Sequence, residues 1–221
     1  MLDKLKKMNL SSIAGVLLIL VVLPLGALYY MNLGLEWRLE RLSELKDYSR
    51  ISEQQLHTAY DSLADIFMEE KNIIVTTFLN PESRELTSLF GENLRKLHEQ
   101  FDARDDVFFL AHVLEGAGDG EAFISSFRET YGLEDKEQCF FFLQDEQQLA
   151  ILANEAYKIE REDGEDWLSN FYFALVDEKV VRSYYDVQEP EAIKKLVEHI
   201  AILIPPRKER EDLIFKREVE K

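Results

Sequence analysis

Hydrophobic and polar positions follow three different rhythms along this chain, and each rhythm predicts a different kind of element. Over residues 10–35 there is no alternation: SSIAGVLLILVVLPLGALYYM is apolar all round, and no charged residue stands between Lys7 and Glu36. A run of about 20 such residues is what a helix needs to cross the hydrocarbon core of a bilayer. Pro24 and Gly26 are tolerable inside a membrane helix, and Tyr29, Tyr30 and Trp37 suit its interface. A cleavable signal peptide would have a shorter apolar region ending in a small-x-small cleavage site, which the sequence does not offer. No cysteine is placed for a lipid anchor either. The expectation is an uncleaved single-pass anchor. Lys4, Lys6 and Lys7 keep the short N-terminal tail (1–9) in the cytoplasm, although Arg38, Arg41 and Lys46 follow the span closely. That orientation places the rest of the chain on the periplasmic side of the cytoplasmic (inner) membrane.

Past the span, the rhythm becomes helical. EWRLERLSELKD (36–47) predicts a short helix leaving the membrane, and LHTAYDSLADIF, within residues 48–72, continues the helical pattern. Residues 36–72 thus read as a helical linker leading into the domain. Apolar strand patterns then alternate with helical stripes. NIIVTTFL predicts a strand; the helix after it carries Leu86, Leu89, Phe90, Leu94, Leu97 and Phe101 on one face. VFFLAHVL predicts a second buried strand, EAFISSFRETY a helix stopped by Gly132, and CFFFL a short strand before the helix DEQQLAILANEAYKI. FYFALVDEKVVRSYYD reads as a hairpin turning at Asp177, Glu178 and Lys179. The last helix, residues 189–204, ends at Pro205 and Pro206, and residues 206–221 form a charged tail. Alternating strands and helices closed by a hairpin and a helix predict an α/β sandwich with a mixed sheet over residues 73–205.

Charge narrows the choice of partners. The chain carries a formal charge of −17; residues 1–35 hold three Lys and one Asp, or +2, so the remainder carries −19. Such a surface repels nucleic acid and anionic headgroups, which excludes a nucleic-acid function. No small-molecule site is evident. GAGDG, with Gly116, Gly118 and Gly120, lacks the spacing and the lysine of a phosphate loop and reads as a connector. Glu160, Glu162, Asp163, Glu165 and Asp166 share one polar loop that offers no burial to shift a carboxyl pKa and no EF-hand order. No Ser-His-Asp arrangement or GxSxG turn is present.

The single cysteine, Cys139, rules out an intrachain disulfide and any dithiol motif; within CFFFL it reads as a small buried hydrophobe. Of the four histidines, His98 and His199 sit among charged neighbours and read as solvated, His57 faces the helical approach, and His112 lies in the second strand. His112 and Cys139 form the one soft-donor pair on potentially adjacent strands, a set that could hold a linear Cu(I). A satisfied core histidine is the plainer reading.

The ordered set of segments resembles the Sco/SenC family, membrane-anchored thioredoxin-fold factors that help deliver copper to cytochrome oxidase. NLRKLHEQF resembles that family's first helix, VFFLAHVLE its strand "ILSHSVDP", FRETYGL its "YAEKYG", and CFFFLQDEQQLAILANEAYKI its "WHFLTG" and following helix. FALVDEKVVRSYYDVQEPEAIKKLVEHIAILIP resembles the family's LVD strand, its hairpin and its final helix. The resemblance implies a thioredoxin-like sandwich and a partner among the integral-membrane subunits of a respiratory complex, cytochrome oxidase foremost.

The departures fall on the chemistry. The family's copper-binding members carry CxxxC thiols between the first strand and helix, and the matching positions here are Ser83 and Thr87. The family's third ligand is a histidine before the LVD strand, matched here by Leu168 or Ser169 in WLSNFYFALVD. A hydroxyl cannot form a disulfide and is a poor ligand for soft Cu(I). Ser83, after a proline turn, suits a helix N-cap. The expectation is a redox-inactive, non-enzymatic accessory or assembly subunit that acts by contact, with no cofactor. The alternative is a copper chaperone using unfamiliar ligands such as His112 and Cys139.

Overall fold

The computed structural model describes residues 10–53, 55, 72–116, 119–134, 137–159 and 172–204. It divides into two units, residues 1–44 and 45–221. The described residues of the first form one helix, α1 (Leu10–Glu44), with Pro24 inside it. Its stretch Leu17–Glu44 is long and apolar enough to cross a membrane, and none of that stretch is buried. The short separate helix expected over residues 36–47 does not form. Good helix formers follow Gly34 without a break, and the Arg41–Glu44 pair at 2.5 Å ties the last turn, so the helix runs on to Glu44.

The second unit is built on β1 (Ser49–Arg50), β2 (Ile73–Leu79), α2 (Arg84–Phe101), β3 (Val107–Leu114), α3 (Gly120–Tyr131), β4 (Cys139–Gln144), α4 (Glu146–Ile151), β5 (Tyr172–Asp177), β6 (Val180–Asp186) and α5 (Pro190–Leu203). The six strands form one sheet in the order β1-β6-β5-β2-β3-β4. β2, β3 and β4 run parallel, whereas β5 is antiparallel to β2, β6 to β5, and β1 to β6. The α/β sandwich with a mixed sheet predicted from the sequence is therefore what the chain forms.

Both faces of this sheet are covered. On one face Ile73, Val75, Phe109, Ala111, Cys139, Phe173 and Leu175 meet Phe90, Leu94 and Leu97 of α2, Ile124 and Phe127 of α3, and Leu196 and Ile200 of α5. The other face places Ile74, Phe78, Leu110, Ala174 and Val176 against Leu149, Leu152, Ala153, Ala156 and Tyr157. Each fully buried side chain of this size contributes about 1.5–3 kcal/mol. Because successive strand residues alternate between faces, β2 reads as one unbroken apolar run with two threonines, and all seven of its residues are buried. The helix stripes pack closely: a methyl group at Gly91 would collide with the ring of Tyr131 as it lies, so the ring could keep this place against α2 only with glycine there.

Three local departures from the sequence pattern have physical causes. The compact unit starts at Leu45 rather than near residue 73, because Ser49 and Arg50 pair with Val181 and Val180 as a sixth strand and Ile51 enters the core. Two residues are too few to show alternation, so the helical pattern expected from residue 48 onward hid them. The helix expected over DEQQLAILANEAYKI changes pitch at Ile151 and continues as a π-helical turn, Leu152–Ala156, closed by Tyr157 N–H on the Leu152 carbonyl at 3.3 Å. The wider turn carries Tyr157 into the core. The β5–β6 hairpin turns at Glu178 and Lys179, with φ of 49° and 64°. Positive φ at both central residues gives the turn whose twist matches paired strands, although neither residue is the glycine or asparagine that favours it. The expected helix within residues 56–71, the acidic loop and the tail beyond Ile204 lie outside the described residues.

Candidate functional site

The turn between β2 and α2 is held by its own main chain and two side chains. Asn80 opens it: its side-chain oxygen accepts the Glu82 N–H at 3.0 Å, and its carbonyl accepts the Ser83 N–H at 3.1 Å. Thr87 closes it from the first turn of α2. Its hydroxyl lies 2.7 Å from the Ser83 carbonyl and 3.1 Å from the Asn80 carbonyl, while its N–H donates to the Ser83 carbonyl at 2.9 Å. The single hydroxyl proton is shared between two carbonyls that each also accept a backbone N–H, which ties the turn to the first turn of the helix.

Ser83 does occupy the N-cap position, but its φ of −89° and ψ of 82° leave the side chain without a capping hydrogen bond. The capping role expected of Ser83 is thus corrected. The bonds that fix this helix start come from Asn80 and Thr87, and Glu85 places a carboxylate against the positive end of the helix. For a soft cuprous ion the donor set does not fit. The turn supplies hydroxyl oxygens where thiolates are required, and the Thr87 hydroxyl is already committed to backbone carbonyls. Ser169, like His57, lies outside the described residues. Among the described residues, no group of three or more His, Cys, Asp and Glu side chains is disposed to hold a metal.

His112 and Cys139 are not brought together. In the parallel register of β3 and β4, Cys139 stands opposite Phe109 and His112 opposite Phe142, three positions further along. The odd positions of both strands face the α2, α3 and α5 side, where Cys139 is fully buried; His112 faces the other side. The sheet itself separates the two side chains, so they cannot share an ion.

His112 is a core histidine. It is fully buried, its ring stacks between Phe78 at 5.1 Å and Phe142 at 5.5 Å, and Tyr157 stands edge-on at 6.4 Å. Its Nδ1 lies 3.1 Å from the Gln144 side-chain oxygen, which fixes Nδ1 as the protonated nitrogen of the neutral ring. Burial pushes its pKa down to about 3, against a smaller opposing effect of the Gln144 hydrogen bond. Next to it, Thr76 Oγ1 and the Tyr157 hydroxyl are 3.1 Å apart, and the Tyr184 hydroxyl donates to the Tyr157 carbonyl. Desolvation, with Tyr48 and Tyr157 close by, raises the Tyr184 pKa to about 12. This polar island was only half visible in the sequence. Thr76 and His112 interrupt apolar strands and could have been paired with a buried partner, but Tyr157 reaches them only through the π-helical turn.

His199, expected to be solvated, is buried on α5 with Nδ1 2.6 Å from the Tyr185 hydroxyl. Of its charged sequence neighbours, Lys194 and Lys195 reach solvent and Glu198 is half-buried, so the charges around His199 did not mark it as exposed. His98 is half-buried, 6.3 Å from the Phe109 ring.

Two outcomes follow from this geometry. Thr87→Val, which keeps the shape and removes the hydroxyl, lowers unfolding free energy by about 1 kcal/mol, whereas Ser83→Ala costs less than about 0.5 kcal/mol; chemical denaturation of the two variants measures both. For His112, the folded pKa lies below the ordinary value near 6.5, so the unfolded chain binds the extra proton between the two. Stability from the neutral ring is complete above about pH 6.5 and is lost, at about 1.4 kcal/mol per pH unit, as pH falls toward 3. His112→Phe lacks that slope, so the stability difference between parent and variant itself changes by it between pH 4 and pH 7, measured by denaturation at pH 4, 5, 6 and 7.

No family model matches the chain, and no curated protein matches it. Solved structures do. A SCO1/SenC family lipoprotein from Bacillus anthracis shares 13% identity with it, over 73% of this chain and 95% of that one, with a TM-score of 0.52. BsSco, a member of the Sco family of cytochrome c oxidase assembly proteins, shares 14% identity over 61% of this chain and 81% of its own, with a TM-score of 0.47. Yeast Sco1 shares 13% over 59% and 84%, with a TM-score of 0.43. At these identities the likeness speaks to architecture, and the Bacillus anthracis structure carries it. The mixed sheet, the β2–α2 turn and the closing hairpin and helix give this chain the Sco-like thioredoxin fold.

Proposed function

We propose that this chain is a redox-inactive, membrane-anchored Sco-like protein that works by protein contact, as an accessory or assembly subunit of a respiratory membrane complex, cytochrome oxidase foremost. One observation carries the first half of this reading. The chain has a single cysteine, Cys139, and it is fully buried under α3, while the turn where thiols would act presents Ser83 and Thr87. Thiol exchange needs a thiolate and an accessible partner sulfur, and neither hydroxyl supplies one. The protein is therefore assigned no enzymatic step and no cofactor.

The second half rests on the fold and the anchor. The Sco-like architecture points to cytochrome oxidase, because BsSco belongs to a family of its assembly proteins. The apolar part of α1 suits a single pass through the cytoplasmic membrane, and Lys4, Lys6 and Lys7 favour a periplasmic domain. Integral-membrane subunits are the natural partners of a domain held at that surface.

The test is made on the full chain in mild detergent. Titrated with Cu(I) against a competing chelator, the protein takes up no stoichiometric metal; tight one-to-one uptake would overturn the redox-inert reading. Affinity purification followed by mass spectrometry recovers integral-membrane subunits of a respiratory complex, and recovery of the free monomer alone would overturn the contact reading.

A further inference from the structure

With both faces of the sheet covered, the outer edge of β4, the last strand in the order, has no further strand paired to it among the described residues. The opposite edge is blunted, since β1 is two residues long. β4 reads CFFFLQ. Within the strand there is no proline, no lysine and no charge to protect the edge. Phe140, Phe141, Phe142 and Leu143 are all partly exposed.

The hydrogen-bond pattern shows which groups turn away from β3. Phe109 N–H donates to the Gln138 carbonyl at 2.9 Å, and Glu115 N–H to the Gln144 carbonyl at 2.8 Å, so the even positions of this strand face β3. In a parallel ladder the intervening residues turn their N–H and C=O the other way. Cys139, Phe141 and Leu143 therefore present main-chain groups outward. Arg128 shields the first part: its Nη2 lies 3.5 Å from the Cys139 carbonyl, and its guanidinium stands 4.7 Å from the centre of the Phe141 ring. Among the described residues no strand takes up Phe141 and Leu143.

Charge says what fits there. Exposed carboxylates bracket the strand, Glu137 before it and Asp145 and Glu146 after it. A second copy of this chain pairing antiparallel about a two-fold axis would set Glu137 opposite Asp145 and Glu146 of its partner, and like charges directly opposite are destabilising. A strand bracketed by cations meets attraction at both ends instead.

We propose that the β4 edge is a docking strand for an extended segment of a partner protein, apolar or β-branched over roughly four to six residues, with Lys or Arg at both ends. The main-chain bonds of Phe141 and Leu143 hold the added strand, and the carboxylates select its charge. This inference rests on the reading of the domain as one that works by contact, and it names the place of that contact.

The test uses the full chain in mild detergent and a labelled seven-residue peptide of alternating valine and threonine with a lysine at each end. This peptide binds roughly tenfold more tightly than its glutamate-ended counterpart, loses binding when its main chain is N-methylated, and protects the Phe141 and Leu143 amides from hydrogen exchange. The surface variant E137K/E146K reverses the preference between the two peptides. Equal affinity for both peptides, no binding, or protection confined to other segments would overturn the proposal. Concentration-dependent dimers that protect the same amides without peptide would assign the edge to a second copy and also overturn it. Native co-purification with membrane subunits that E137K/E146K leaves unchanged would overturn the β4 site while leaving the contact reading intact.

Discussion

Seven consecutive residues, Ile73–Leu79, are withdrawn from water on both sides of the sheet, and the rest of the domain is arranged around that double burial. A strand covered on both faces must find a partner for every polar atom it carries, or lose roughly 1–3 kcal/mol for each one it leaves. The main chain of β2 pairs along its whole length with β3 on one side, and over Ile73–Thr76 with β5 on the other. Its two threonines are the weak points of the arrangement. Thr76 meets the Tyr157 hydroxyl, while the Thr77 hydroxyl has no hydrogen-bond partner among the described residues. The need to satisfy Thr76 on a dry face gives a physical reason for a π-helical turn that brings Tyr157 inward.

The same burial determines what can happen at the end of the strand. β2 stops at Leu79, and the chain must reverse at once so that α2 can lie back across the sheet. Asn80 and Thr87 make that reversal with a set of short hydrogen bonds, and none of them needs a sulfur atom or a metal. A turn of this shape is an architectural requirement of the fold before it is a place for chemistry. That is why it can persist with hydroxyls at residues 83 and 87.

Much of this was legible in the sequence because burial leaves a simple pattern. VFFLAHVL marked β3 to the residue, and the stripe from Leu86 to Phe101 marked the helix that covers it. The α/β sandwich followed from the order of those elements. What was not legible depends on events between elements. β1 is too short to alternate, the side of the sheet that His112 faces is set by register with β4, and the burial of His199 comes from Tyr185 on a neighbouring strand. At the candidate site, the substitution of hydroxyls could be read directly, but their roles could not. Serine after a proline turn is the usual cap, yet the backbone angles at Ser83 aim its side chain elsewhere and Thr87 does the holding.

The proposed contact role gives the buried lone cysteine, Cys139, a packing role in the core it shares with α3. Replacing it with an aliphatic residue of similar bulk, Cys139→Val, tests this most directly, with association to the membrane partner as the readout and hydrogen exchange as a check on folding. The expected result is a folded, thiol-free chain that recovers as much membrane partner as the parent. A folded Cys139→Val chain that recovers none would contradict a purely contact-based role.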